Sequence, residues 1–164
     1  MTNTVKEGDK APDFDLPTDG GGRFKLSAQR GAPVVVYFYP KDDTSGCTLE
    51  AIDFTGSKPA FDRLKTEIVG ISPDGPEAHD KFKAKHGLAV TLAADEEKEA
   101  ASAYGVWVEK SMYGRKYMGV ERSTFLVDGA GRIARAWRSV KVPGHVDEVL
   151  AAAKGLGGKP DKSA

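Results

Sequence analysis

The run Val34-Val-Val-Tyr-Phe-Tyr39 constrains the fold of this chain more than any other feature. It consists of β-branched and aromatic residues with no polar alternation, which is typical of a strand covered on both faces. Pro40 ends the run, because proline lacks the N–H that a strand interior requires. A strand buried on both faces needs other layers above and below its sheet, so the run predicts a layered α/β domain.

The rest of the chain supplies the other elements of such a domain. Short apolar runs flank the glycine-rich segment 18–22 and predict an N-terminal β-hairpin. A second buried strand is predicted at 68–72, and a further strand pair at 123–127 and 133–137. Helices are predicted over 44–54 (continuing or restarting at 60–64 after Pro59), 74–87, 96–104 and 143–154. This order resembles the thioredoxin-like fold, a three-layer α/β domain with a central mixed sheet flanked by helices.

Size and charge limit the classes of partner. A length of 164 residues predicts a single domain over 1–164, and the polar segments 1–7 and 156–164 are expected to be loose tails. Lys and Arg number 24, as do Asp and Glu, so no net charge attracts nucleic acid or an anionic membrane. The N-terminus lacks a secretory signal, and the longest apolar run is too short to span a bilayer. Neither nucleic acid nor membrane is expected as a partner.

Cys47 is the single cysteine of the sequence. One cysteine cannot form an intrachain disulfide, so a reducing cytoplasm is the expected compartment. One cysteine and three histidines without ligand spacing also predict that the chain has no metal site, and no cofactor is expected. His79 and His86 are expected to be solvated surface residues, and His145 is expected to be structural.

The position of Cys47 predicts a reactive thiol. In open α/β sheets, ligands bind at the carboxyl ends of the strands, and Cys47 follows the central strand where the chain enters a helix. Thr44 is the predicted N-cap, so Cys47 lies among unpaired backbone N–H groups at the positive end of the helix dipole. We therefore expect the pKa of the Cys47 thiol to be depressed. The alternative is a small buried hydrophobic cysteine. Arg122 is either a cation beside the thiolate or an ordinary solvated arginine.

Several motifs resemble one protein family. The segment Pro40-x-x-x-Thr44-x-x-Cys47 is similar to the peroxidatic signature of peroxiredoxins. The surrounding residues resemble the peroxiredoxin Q group, also called bacterioferritin comigratory proteins, and the similarity runs from about residue 8 to 154. The matching segments are Tyr37-Phe-Tyr-Pro-Lys-Asp42, Gly46-Cys-Thr-x-Glu50-Ala, Asp53-Phe54, Gly70-Ile-Ser-x-Asp74, Glu121-Arg-Ser-Thr-Phe125 and Gly144-His145.

The resemblance implies a thiol-specific peroxidase that reduces hydrogen peroxide and organic hydroperoxides through a sulfenic acid on Cys47. It implies that Thr44 hydrogen-bonds the thiolate and the peroxide, and that Pro40 shields the site. Arg122 would hold both the sulfur and the substrate oxygen, since its fork of donors addresses two atoms at once. Glu50 is expected to orient its neighbours rather than to transfer protons.

The sequence departs from the family pattern at two places. Ile52 stands where many members carry a resolving cysteine, and the segment 74–87 has none either. The resemblance is therefore to a one-cysteine member, whose sulfenic acid needs an external thiol: thioredoxin, glutaredoxin or a small thiol. We expect either an accessible Cys47 or a helix start that frays easily. Ser45 replaces a common proline, with a modest effect expected on loop rigidity.

Three interpretations remain as expectations. The alternative function is a non-catalytic redox sensor or holdase on the same fold. The segment 110–118 is interpreted as a loop or lid beside the active site, in which Tyr113 and Met118 form an apolar collar for organic hydroperoxides. The resemblance implies a monomer or a weak dimer.

Overall fold

The computed structural model describes residues 5–157, which contain nine strands, four α-helices and two short 3-10 helices. The strands are β1 (Asp15–Pro17), β2 (Arg23–Lys25), β3 (Val34–Phe38), β4 (Glu67–Ser72), β5 (Thr91–Ala94), β6 (Trp107–Met112), β7 (Arg115–Val120), β8 (Ser123–Val127) and β9 (Ile133–Trp137). The helices are α1 (Ser45–Arg63), α2 (Pro76–His86), α3 (Glu99–Ala103) and α4 (His145–Gly157).

The central sheet has five strands in the order β5–β4–β3–β8–β9. Strand β3 is the middle strand, parallel to β4 and antiparallel to β8, and all five of its residues are buried. The mixed sheet and its buried central strand confirm the sequence prediction. The predicted N-terminal hairpin is also present, since β1 pairs antiparallel with β2.

Strand β3 separates two apolar clusters because its side chains alternate between the faces of the sheet. Val36 and Phe38 pack with the N-terminal hairpin and α3. Val35 and Tyr37 pack with α1, α2 and α4 on the opposite face. Cys47 belongs to this second cluster, so the layer arrangement places the thiol against the centre of the sheet.

The helices differ in extent from the prediction. Helix α1 runs unbroken over 19 residues with Pro59 inside it. Buried Phe54 and Phe61 lie on either side of the proline, and their packing in the core holds both halves in one helix. Helix α3 is shorter than predicted and begins at Glu99. No helix within residues 5–157 has the length and apolar character needed to cross a membrane.

Three strands were not predicted from the sequence: β5 and the two strands of the β6–β7 hairpin. Strand β5 is only four residues long and includes two alanines, which weakens its strand signal. The segment 110–118, interpreted as a loop or lid, lies in the β6–β7 hairpin. Most side chains of β7 are exposed, so this hairpin has no regular apolar face from which alternation could be recognised.

Residues near both ends of the described region contact the core of the domain. Arg138 Nη2 donates to the Val5 carbonyl at 3.1 Å, and Val5 packs against the core. Helix α4 continues through Gly157, and Leu156 packs against the second cluster. Val5 and Leu156 thus contact the rest of the domain, whereas residues 1–4 and 158–164 of the predicted loose tails lie outside the described residues.

Candidate active site

The candidate site is built where β3 passes into α1. Half-buried Pro40 follows the strand, and Thr44 is the N-cap of α1 with extended backbone angles (φ −89°, ψ 155°). The Thr44 carbonyl accepts the first helical hydrogen bond from Thr48 N at 2.8 Å. Cys47 lies in the first turn, as predicted, but its side chain belongs to the core and is only 1% exposed. Of the two alternatives expected from the sequence, an accessible Cys47 does not apply, and a helix start that frays easily stays a prediction.

The Thr44 hydroxyl does not cap the helix. It donates to the Lys41 carbonyl at 2.9 Å, so its single proton is already used within the loop. The contacts described for residues 5–157 include no hydrogen bond from this hydroxyl to the Cys47 sulfur, in contrast to the sequence prediction. Its oxygen still offers lone pairs as an acceptor. The loop thus keeps Thr44 in place while leaving the first-turn N–H groups of α1 uncapped by its side chain.

Arg122 lies beside Cys47 because of the register between β3 and β8. Phe38 pairs with Ser123, which brings the residue before β8 next to the loop that follows β3. Arg122 Nη2 donates to Cys47 Sγ at 3.3 Å, and Nη1 donates to Glu50 Oε1 at 2.7 Å. One guanidinium therefore binds the thiol and a carboxylate together, and the reading of Arg122 as an ordinary solvated arginine does not apply.

Gly46 lets the guanidinium approach this closely. A Cβ atom at Gly46 would lie 3.1 Å from Arg122 Nη2, which is tighter than ordinary van der Waals contact. An alanine there would push the guanidinium, which contacts the sulfur, by a few tenths of an ångström. Gly46, the first residue of the segment Gly46-Cys-Thr-x-Glu50-Ala, thus has a steric reason in this structure.

Glu50 is a buried acid held by a half-buried base. Its side chain is fully enclosed, and burial raises the pKa of Glu50 to about 7, against the opposing effect of the Arg122 charge. Its Oε2 has no hydrogen-bond partner among the described residues, so Arg122 is the main group that stabilises the carboxylate. The neighbour that Glu50 contacts is Arg122, and the expectation that Glu50 orients its neighbours stays a prediction.

Lys110 on the β6–β7 hairpin has a perturbed pKa. The pKa of Lys110 is lowered by burial of its side chain and by the charge of Arg122, and the charge of Cys47 acts in the opposite direction. The placement of the segment 110–118 beside the site stays a prediction. Tyr113 at the hairpin tip is 96% exposed and Met118 is also exposed, and the apolar collar stays a prediction.

The prediction for His79 is wrong. This residue is fully buried, with Nδ1 2.6 Å from Asp42 Oδ2 and Nε2 2.9 Å from the Ala93 carbonyl oxygen. It lies three residues before buried Phe82, and therefore on the same face of α2. The three-residue spacing from Phe82 was the one sequence signal for the burial of His79. The same spacing also fits a polar side chain at the edge of the apolar face, so it does not distinguish a buried histidine from an exposed one.

The other two histidines also have defined partners. His86 Nε2 lies 2.9 Å from Asp43 Oδ1, so this side chain is tied to the loop before α1. His145 is buried, with Nε2 2.8 Å from Thr124 Oγ1, in agreement with a structural role. Burial and the charge of Arg122 lower the pKa of His145 to about 4. Within residues 5–157, no three His, Cys, Asp or Glu side chains cluster as metal ligands.

Ile52, at the position of the absent resolving cysteine, lies on the outer face of α1. Its side chain is 42% exposed and the side chain of nearby Leu49 is 47% exposed. The surface next to the buried thiol is therefore partly apolar.

Comparisons with known proteins agree with this geometry. The profile of the AhpC/TSA family matches residues 7–136. The chain is 49% identical over 156 residues to Peroxiredoxin Bcp of Bacillus subtilis, covering 95% of this chain and 99% of that protein. It is 47% identical over 156 residues to Peroxiredoxin Bcp of Xanthomonas campestris, covering 94% and 97% respectively.

Solved structures show the same similarity. A structure of Xanthomonas campestris Peroxiredoxin Q superimposes with a TM-score of 0.87 at 44% identity, covering 95% of this chain and 99% of the other. A bacterioferritin comigratory protein of the same organism, studied for its alkyl peroxide reduction activity, gives a TM-score of 0.86 at 41% identity, covering 96% and 99%. The thioredoxin-like fold expected from the order of elements is the fold of these peroxiredoxins.

Proposed function

The chain belongs to the AhpC/TSA family, within its peroxiredoxin Q/Bcp group, and from this premise we propose that Cys47 is the peroxidatic nucleophile of a thiol peroxidase. The observation that carries the proposal is the contact of 3.3 Å between Arg122 Nη2 and Cys47 Sγ at the N-terminus of α1. A guanidinium and a helix N-terminus both favour the thiolate, which is the form of cysteine that attacks.

The reaction transfers one oxygen atom from the peroxide to the Cys47 sulfur. The Cys47 thiolate attacks a peroxide oxygen, and the S–O bond forms as the O–O bond breaks. The leaving oxygen takes up a proton and departs as water from hydrogen peroxide or as an alcohol from an organic hydroperoxide. The sulfur is oxidised to a sulfenic acid while the peroxide is reduced. Negative charge moves from sulfur to the leaving oxygen, so donors already in place lower the barrier.

The surrounding residues divide this work. Arg122 stays in contact with the sulfur and has further donors for the substrate oxygen, because its fork carries five N–H groups. Thr44 accepts a hydrogen bond from the peroxide hydroxyl through its free lone pairs, and the uncapped N–H groups of α1 face the developing charge. Glu50 holds Arg122 in orientation through its contact of 2.7 Å, and Pro40 limits the access of water.

Regeneration requires a thiol from another molecule, because Cys47 is the single cysteine of the chain. The sulfenic acid condenses with an external thiol to a mixed disulfide and water, and a second thiol then releases Cys47. Thioredoxin, glutaredoxin and small thiols are the proposed classes of donor. Because Cys47 is only 1% exposed, the first turn of α1 must open for the partner sulfur to reach it. This is the second of the two routes expected from the sequence.

Peroxide consumption tests the assignment. Purified protein is given hydrogen peroxide or a small alkyl hydroperoxide with dithiothreitol, a thioredoxin system or a glutaredoxin system. Cys47→Ser should abolish turnover with every donor, since serine is not ionised at neutral pH. A Cys47→Ser variant with the turnover of the unmodified protein refutes the proposal.

The absence of a second cysteine also favours a redox sensor or holdase. That function predicts rapid sulfenic acid formation on Cys47 with negligible turnover for all three donors. We propose that the chain works as one domain over 1–164, because β3 contributes to both apolar clusters of the described region. A reducing cytoplasm and a monomer or weak dimer stay predictions.

A further inference from the structure

A buried polar network joins α2 to the loop 40–44 that precedes α1. Asp42, in the middle of that loop, is 9% exposed and accepts a hydrogen bond from Tyr39 Oη to Oδ1 at 2.7 Å. Its Oδ2 lies 2.6 Å from His79 Nδ1, and His79 Nε2 lies 2.9 Å from the Ala93 carbonyl oxygen of β5. The fully buried His79 ring therefore connects the loop to the edge strand of the sheet.

The partners of His79 determine where its protons are. A carbonyl oxygen only accepts, so Nε2 must carry the hydrogen that binds Ala93. The second nitrogen, Nδ1, then shares one proton with the Asp42 carboxyl group at 2.6 Å, either as an imidazolium with a carboxylate or as a neutral pair. In either form, separating the two groups would leave a buried polar or charged group without its partner, which is destabilising. The folded protein is therefore stabilised with Asp42 and His79 in contact.

The backbone of Asp42 is held from another side. Asp42 N donates to Asp74 Oδ2 at 2.7 Å, and Ser72 Oγ at the end of β4 donates to the same oxygen at 2.7 Å. Both the main chain and the side chain of Asp42 are thus tied to the sheet and α2. The loop has no other buried polar side chain, so Asp42 is its anchor.

Resting on the proposed function, we propose that His79 is a positioning residue for peroxide reduction. It holds Asp42, which fixes the loop 40–44 and with it the Thr44 N-cap and the first turn of α1. That turn places Cys47 Sγ 3.3 Å from Arg122 Nη2. His79 touches neither sulfur nor substrate. A displacement of the nucleophile by about 1 Å costs roughly a hundredfold in rate, so the anchor of this loop has direct kinetic importance.

Two substitutions separate the two contacts of His79. In His79→Asn the amide nitrogen takes the place of Nδ1 and can still donate to Asp42, but it cannot reach Ala93. In His79→Gln the amide nitrogen takes the place of Nε2 and can still donate to Ala93, but it leaves Asp42 Oδ2 unpaired. Both variants lose one buried hydrogen bond, so a purely structural role lowers their stability without separating their rates.

The measurement is the second-order rate constant for a single oxidation of reduced Cys47 by hydrogen peroxide, followed by competition with a haem peroxidase. No reductant is present, so recycling does not enter. We expect His79→Gln to lose at least about tenfold and His79→Asn to stay within about threefold of the unmodified protein. His86→Gln is the matched control on the same helix, because His86 contacts Asp43 at the exposed end of the loop, and its rate should stay within about twofold.

Equal rate constants for the two His79 variants at a temperature where both are folded overturn the proposal, as does a His79→Gln rate within twofold of the unmodified protein. If His79→Gln does not fold, Asp42→Ala replaces it, since it removes the carboxylate that contacts both His79 Nδ1 and Tyr39 Oη. Tyr39→Phe is its control, because it removes only the hydroxyl that donates to Asp42 Oδ1 and keeps the contact with His79. Equal rate constants for Asp42→Ala and Tyr39→Phe then overturn the proposal, and a further loss of threefold or more in Asp42→Ala supports it. Slow oxidation of the unmodified protein, equal to that of Cys47→Ser, is the separate result that refutes the proposed function itself.

Discussion

Replacing Glu50 by glutamine should change how the stability of the protein depends on pH. Burial raises the pKa of Glu50 from 4.5 to about 7. Between these two values the folded protein keeps a proton that the unfolded chain has released, so stability falls as pH rises through this window. At 1.36 kcal/mol per pKa unit, the loss attributable to Glu50 reaches about 3 kcal/mol above pH 7, and it is absent below pH 4.5.

Glutamine has the same shape and accepts the Arg122 hydrogen bond, but it does not ionise. The free energy of unfolding of Glu50→Gln, relative to that of the unmodified protein, should therefore rise by about 3 kcal/mol between pH 4.5 and pH 7.5. All other titrating groups are common to both proteins and cancel in the difference. The assay is urea unfolding at half-unit pH intervals with Cys47 kept reduced, analysed where the transitions are two-state.

The matched control is Glu97→Gln, which removes an exposed carboxylate from the loop before α3. Its difference from the unmodified protein should be flat across the same pH range. If the difference in the free energy of unfolding between Glu50→Gln and the unmodified protein is equally flat, the conclusion that burial raises the pKa of Glu50 is wrong. A rise centred below pH 5 would mean that Arg122 compensates the carboxylate far better than its single contact of 2.7 Å suggests.

Three further predictions concern the same site. Arg122→Lys keeps the charge but loses the fork of donors, so one ammonium group cannot bind both the Cys47 sulfur and Glu50. The rate constant of Cys47 oxidation should therefore fall about a hundredfold. A rate constant within threefold of that of the unmodified protein contradicts this prediction. Gly46→Ala places a Cβ atom 3.1 Å from Arg122 Nη2, so the rate constant of Cys47 oxidation should fall several-fold. The melting temperature should not fall, because alanine favours the helix over glycine by about 1 kcal/mol. NMR titration should give a pKa of about 4 for His145. Because this pKa is lower in the folded protein than in the unfolded chain, the stability of the protein should fall as the pH falls from 6.5 through 4. A titration midpoint near 6.5 would contradict the effect of burial on His145.

The sequence alone was sufficient for the local parts of the fold. The apolar run at 34–38 is rich in β-branched and aromatic residues and ends before a proline, which favours a central strand covered on both faces, and β3 is that strand. Gly87 after α2 has φ +62°, the conformation that ends a helix, and the glycine-rich turn between β1 and β2 allowed their hairpin to be recognised. The β6–β7 hairpin escaped prediction because its exposed side chains satisfy no burial pattern, so nothing in its residues distinguishes strand from loop.

Some features of the candidate site likewise follow from the local sequence, and others depend on the tertiary structure. Cys47 at the start of a helix after a buried strand follows from neighbours in the sequence, since the N-cap and the dipole act within one turn. The contacts of Arg122 with Cys47 and Glu50 join residues 75 and 72 positions apart, and the register of β8 on β3 brings them together. The burial of Cys47 and the pairing of His79 with Asp42 likewise depend on how α1 and α2 pack on the sheet. The sequence predicted Cys47 as the nucleophile because the backbone groups expected to activate it are local, and only the tertiary structure decided its charge partners because those arrive from distant strands and helices.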